Sequence, residues 1–208
     1  LGSRVPRKPP PPRALLWRPL AHQGGGKVVL VERTGKNNQH THLHRVCTLN
    51  GGGCRVREVI NGGELRRALE GAARKAGREV VAFDSTGMPL SEQIKAFEGA
   101  DAVMGTHGAG LANAMFCRRG AVLLELLPQQ LSRASISQIF WHVSTGVGMR
   151  HATFVIPHEM MEKDTPSSLH NFRVPVEQVT QALLALLASA SGPPEEGVCE
   201  GGGVCAAG

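Results

Sequence analysis

Apolar residues along this chain fall into two kinds of run. Short unbroken stretches occur in KVVLVER (27–33), REVVAFD (78–84), DAVMGTH (101–107), AVLLELLP (121–128) and RHATFVIP (150–157). Unbroken apolar runs of this length, rich in valine and leucine, predict strands buried on both faces. Between them the spacing changes. Leu65, Ala68, Leu69, Ala72, Ala73 and Ala76 recur at helical intervals in 61–77, with Asn61 placed to cap that helix and Gly77 to stop it. Further helices are expected over 91–100, where Ser91 can cap, over 108–120, closed by Gly120, over 136–146 and over 174–190. Strand and helix alternate five times. That order predicts an α/β domain, a Rossmann-like parallel sheet with helices on both faces and right-handed crossovers.

The flanks do not share this pattern. Residues 1–26 hold PPPP and then GGG, which predicts an extended segment and a hinge, a Pro/Gly-rich linker or tail. Residues 191–208 are expected to be a disordered tail. The domain proper is therefore expected over 27–190, with a polar, glycine-rich loop inserted at about 35–56.

Charge narrows the partners. The chain has 208 residues and a formal charge of +6. It has no tyrosine and only 4% aromatic residues, so stacking platforms for single-stranded nucleic acid are scarce. Scattered arginines suit a smaller anion, such as a nucleotide phosphate, and no nucleic-acid partner is expected. No apolar run reaches the length of about 18 residues needed to span a membrane. Any membrane association is expected only through an anchor upstream of Leu1.

Five cysteines cannot all pair within the chain. Cys47 with Cys54 and Cys199 with Cys205 are spaced to close small loops, which leaves Cys117 as a free, buried thiol. His40, His42 and His44 alternate ahead of Cys47 and Cys54, so a zinc-binding interaction domain is a further reading of the loop.

The chemistry centres on THGAGLAN (106–113), where the third strand ends and a helix is expected to begin. Ligands of such sheets sit at the carboxyl ends of the strands. Gly108 and Gly110 would allow close approach of backbone to ligand, and the amides of Gly110, Leu111 and Ala112 would favour an anion. His107 could donate to it. The same glycines would equally serve a tight turn that needs them for packing. A nicotinamide site is disfavoured, because Asn113 stands where the third glycine of G-x-G-x-x-G belongs and the turn follows the third strand.

HGAGLANAMFCRRGAVLLEL resembles the signature of glycosyltransferase family 61, on His107, Gly108, Ala109, Gly110, Leu111, Phe116, Gly120, Ala121 and Glu125. Ser91, Glu92 and Gln93 match a step upstream; Arg33, Arg57, Val59, Ile60, Asn61 and Glu64 match, in order, the strand-arginine, basic and asparagine positions before it. The likeness covers about 27–157. It departs in the stretch between Arg33 and Arg57, usually a few residues in the family, and at Glu58, where a second basic residue is common.

The resemblance implies one half of a GT-B fold, the half that holds the nucleotide sugar. It implies an inverting transfer of N-acetylglucosamine, xylose or arabinose from a UDP-sugar donor to a hydroxyl of a protein or polysaccharide acceptor. It also implies the lumen of the Golgi or endoplasmic reticulum. The alternative is a non-catalytic nucleotide-sugar-binding or degenerate fragment. No cofactor and no metal are expected, since Asp84, Asp101 and Asp164 form no D-x-D pair. Charge on the departing UDP would then fall to the amides, to His107 as the leaving-group stabiliser, and to Arg33 and Arg57, whose guanidinium forks match phosphate oxygens. The expected substrate-binding set is Arg33, Arg57, Asn61, Thr106, His107, Gly108, Ala109, Gly110, Leu111 and Glu125, with Glu125 accepting from ribose hydroxyls. The general base is not assigned.

Overall fold

A computed structural model of the chain describes residues 26–33, 57–132, 138–162, 171–189 and 206–207. Five parallel strands form the sheet: β1 (Gly26–Val31), β2 (Arg78–Phe83), β3 (Ala100–Thr106), β4 (Val122–Pro128) and β5 (Arg150–Ile156). A two-residue strand, β6 (Ala206–Ala207), pairs antiparallel with β5. The spatial order is β2-β1-β3-β4-β5-β6. The helices are α1 (Gly62–Lys75), α2 (Leu90–Phe97), α3 (Gln129–Ser132), α4 (Ile139–Gly146) and α5 (Val176–Ser189). This is the α/β, Rossmann-like arrangement that the alternation of runs predicts.

The unbroken apolar runs are buried because helices cover both faces. Every residue of β3 and β4 is buried. Strand periodicity then divides each run between two cores. Val28, Leu30, Met104, Leu124 and Leu126 face Leu65 and Leu69 of α1 and Val179, Leu183 and Leu187 of α5. Val29, Val31, Val103 and Leu123 face Phe97 of α2, Leu111, and Phe140 of α4. Phe83 and Phe97 meet edge to face, with ring centroids 4.7 Å apart.

Strand order positions the site. β1 lies between β2 and β3, so the chain winds one way from β1 and then the other. The reversal opens a crevice at the carboxyl ends of β1 and β3. The opposite end of the sheet is closed by Asp101, which accepts from Arg78 Nε at 3.1 Å and from Arg118 at 3.0 and 2.6 Å.

Three local expectations differ. The stretch after β3 is a 3-10 segment, Ala109–Phe116, not an α-helix through Gly120. Leu111 N donates to Gly108 O at 2.9 Å, a three-residue step, and Asn113 Nδ2 reaches Gly110 O at 3.4 Å. Glycine is a weak helix former, and asparagine competes for the backbone. Neither Asn61 nor Ser91 caps with its side chain, and α2 starts after Pro89. Ala206–Ala207, expected in a disordered tail, forms β6. The rest of the two tails and the whole 35–56 insertion, with His40, His42, His44, Cys47, Cys54, Cys199 and Cys205, lie outside the described residues.

Candidate anion-binding site at the strand-order reversal

A cavity of about 340 Å³ lies at the reversal, between the ends of β1 and β3 and the start of α1. Its lining includes Val31, Glu32 and Arg33 from β1 and its end, Glu58 and Ile60 from the approach to α1, and Thr106 from β3. The volume is in the range of small-molecule sites.

The glycines divide by what they touch. A Cβ on Gly105 would meet Val31 Cβ at 2.8 Å and Val31 O at 3.0 Å, and one on Gly110 would meet Val31 Cγ1 at 2.8 Å. These two let β3 and the 3-10 segment press against β1. A Cβ on Gly108 would instead strike the Arg33 guanidinium, with Cζ at 2.9 Å and Nε at 3.2 Å. Gly108 therefore leaves room for a cation against the backbone.

Two arginines converge there. Burial pushes the Arg33 guanidinium down to about 10, and the nearby charge of Arg57 adds to the shift. Burial also lowers Arg57. Arg57 Nη1 donates to the His107 carbonyl at 2.9 Å, while its buried Nε has no hydrogen bond among the described residues. Arg57 is also the one non-glycine described residue with φ in the left-handed region, at 55°. Strained backbone of this kind gathers at functional sites. Like charges brought together with partial loss of water cost free energy, which an anion between them would recover. The Thr106 hydroxyl, buried at the cavity wall, is likewise without a partner among the described residues.

Carboxylates share the cavity. Burial raises Glu32 above the ordinary range, Arg66 at 3.9 Å opposes this, and Asp84 and Glu70 add to it.

Behind the cradle, Glu125 is wholly buried on β4. One oxygen takes His107 Nδ1 and the other takes His151 Nε2 at 3.2 Å. Burial works to raise its pKa, but the two histidine hydrogen bonds and their charges outweigh this and hold the carboxyl below its ordinary 4.5. The Phe140 ring covers His107 edge-on, centroids 5.0 Å apart.

The expected site residues thus separate. Arg33, Arg57, Thr106, His107 and Gly108 come together at the reversal. Ala109 is exposed and Gly110 half-buried at the start of the 3-10 segment. The Leu111 amide, expected to face an anion, is taken by Gly108 O, and its side chain is core. Asn61 is committed in both directions to Val174, donating to its carbonyl and accepting from its amide at 2.9 Å each. Glu125 turns to two histidines, with no surface for a ribose. Its place is behind the site because β4 alternates, which puts Glu125 on the α4 side with Leu123. His151 was missed. An imidazole beside Arg150 at the start of the run RHATFVIP was its only signal. Glu32, an acid closing a strand on the ligand side, was also missed. Among the described residues no group of three or more His, Cys, Asp or Glu side chains is placed to hold a metal ion. No described helix is long and apolar enough to cross a membrane.

No curated protein matches the sequence. Among solved structures, the Streptococcus pneumonia TIGR4 flavodoxin is similar over 77% of this chain and 97% of its own, at 13% identity and a TM-score of 0.37, too low to bear on function. The family model for glycosyltransferase 61 matches residues 10–124, more than half of the sequence. That span runs from before β1 through Arg33, Arg57 and the 106–113 turn to the middle of β4. It takes in the elements that build the cavity, and the chain belongs to glycosyltransferase family 61.

Proposed function

We propose that this chain is the donor-binding half of a GT-B glycosyltransferase and holds the diphosphate of a UDP-sugar at the β1/β3 reversal. The observation that carries the reading is the meeting of Arg33, against Gly108, and Arg57, on the His107 carbonyl, beside a cavity of about 340 Å³. Family membership supports it.

In this reading the guanidiniums and the Gly108–Gly110 backbone hold the phosphates, and the cavity takes the nucleoside. Its apolar wall includes Val31 and Ile60, and its polar groups are the Thr106 hydroxyl and the Glu32 and Glu58 carboxylates. Glu32 replaces Glu125 as the acceptor for ribose hydroxyls. The acceptor's hydroxyl gives its proton to a general base, and its oxygen forms a bond to the anomeric carbon as the bond from that carbon to the phosphate oxygen breaks, with inversion. The electron pair leaves on the diphosphate, where Arg33, Arg57 and His107 stabilise it without a metal. The donor sugar is N-acetylglucosamine, xylose or arabinose, the acceptor is a protein or polysaccharide hydroxyl, and the compartment is the Golgi or endoplasmic reticulum lumen.

Calorimetric titration with UDP, UDP-N-acetylglucosamine, UDP-xylose and UDP-arabinose tests the reading, with melting shifts as a second readout. Binding of UDP that is lost in Arg57→Ala is the expected result. No binding by any of the four sinks it. Binding without UDP release on addition of acceptors favours the non-catalytic alternative.

A further inference from the structure

Glu125 lies between two imidazoles, one from each neighbouring strand, and none of its side chain reaches solvent. Such a carboxylate is either ionised and accepts from both rings, or protonated and donates to one. An ionised carboxylate has no proton to give, so each ring nitrogen facing it must carry one. That requirement makes His107 an Nδ1–H ring and His151 an Nε2–H ring. The direction of the Glu125 shift agrees with an ionised carboxylate, since the hydrogen bonds and charges of the two histidines together overcome the burial that would neutralise it.

We propose that His151 is a positioning residue for the anion site: acting through Glu125, it fixes Nδ1 as the protonated nitrogen of His107, the residue that precedes Gly108 and whose carbonyl holds Arg57. Two donors keep the buried carboxylate charged; one does not. With His151 removed, Glu125 takes up a proton. Its new O–H donates to His107 Nδ1, and the single ring proton of His107 moves to Nε2. The ring is thereby turned around electronically without moving. In the intact chain the ionised Glu125 holds the His107 ring by its Nδ1–H, as a buried aspartate holds a catalytic histidine. The other charged groups beside His107 are Arg57, on its carbonyl, and Arg33, against Gly108. From α4 the facing group is Phe140, which does not titrate. The structural claim stands on the β3–β4–β5 geometry; only its consequence for a phosphate rests on the proposed function.

Nitrogen NMR of the histidine rings in the full chain, recorded at alkaline pH, tests this. Intact protein is expected to show His107 protonated at Nδ1 and His151 at Nε2. His151→Leu is expected to move the His107 proton to Nε2, and His151→Gln, whose amide is again a donor, to restore it to Nδ1. An intact chain with His107 protonated at Nε2, or a folded His151→Leu chain with unchanged His107 signals, overturns the proposal. Should the leucine variant not fold, the intact and glutamine spectra decide, and loss of Nδ1–H in the glutamine variant overturns it. UDP titration of the same samples is expected to show roughly tenfold weaker binding for His151→Leu, recovered by His151→Gln. An intact chain that binds no UDP sinks the diphosphate reading, while the ring pattern still decides the role of His151.

Discussion

Arg33 and Arg57 approach the same backbone from different elements, and their chemistry differs from that of a solvated pair. Arg33 at about 10 remains charged at neutral pH, so both positive charges persist where burial disfavours them. Charge-assisted hydrogen bonds to a diphosphate contribute about 1.5–3 kcal/mol each. Arg33→Ala should therefore weaken UDP binding by about one to two orders of magnitude, as read by calorimetry. Arg33→Lys should recover only part of this, because an ammonium lacks the fork. The paired glycines make a sharper contrast. Gly108→Ala places a methyl against the Arg33 guanidinium, a side-chain end and not backbone, so it should cost affinity with little stability. Gly105→Ala presses on the Val31 backbone and should lower unfolding free energy by about 1–3 kcal/mol, whatever its effect on UDP. Cys117 is a quiet residue: burial pushes its thiol up to about 12, which removes the reactive thiolate at neutral pH.

At the scale of elements, the site depends on how α1 is tied down. Asn61 bonds both ways to Val174, ahead of α5, and so joins the two helices that cover one face. Asn61→Ala should lower stability by about 1–3 kcal/mol, measured by urea unfolding, while saturating UDP binding persists. The asparagine was legible in the chain as a helix-start signal and as a family position, but its partner lies 113 residues away. No local pattern reports such a pairing. The same holds for the turn after β3. Its glycines were legible as punctuation; that Gly110 serves packing while Gly108 makes room for a guanidinium depends on β1 lying alongside. The 3-10 winding went unseen because small helix formers such as alanine and leucine read as an α-helix by propensity, and the close contact with Val31 is tertiary.

Across the whole molecule, the buried Glu125 links stability to pH. Its folded pKa is depressed below the ordinary 4.5, so the unfolded chain binds its proton more readily. The stability it contributes is present above about 4.5 and is lost as pH falls through the folded value. Acid titration followed by circular dichroism should show a steeper loss below that pH in the intact protein than in Glu125→Gln. At neutral pH Glu125→Ala should cost about 3 kcal/mol or more, since it strands two buried imidazole donors.

Period and punctuation were enough, in the sequence alone, for the five parallel strands, for helices over 62–75, 90–97, 139–146 and 176–189 but not for the 3-10 winding after β3, and for the order of the motif residues, because burial on both faces leaves an unbroken apolar run that needs no partner to be recognised. Glu125, His107 and His151 were scattered letters until β4 was placed between β3 and β5. Side-chain direction, the depth of a carboxylate and the meeting of two arginines from distant loops are properties of strand order. Only the folded sheet, by choosing which strands are neighbours, could settle them.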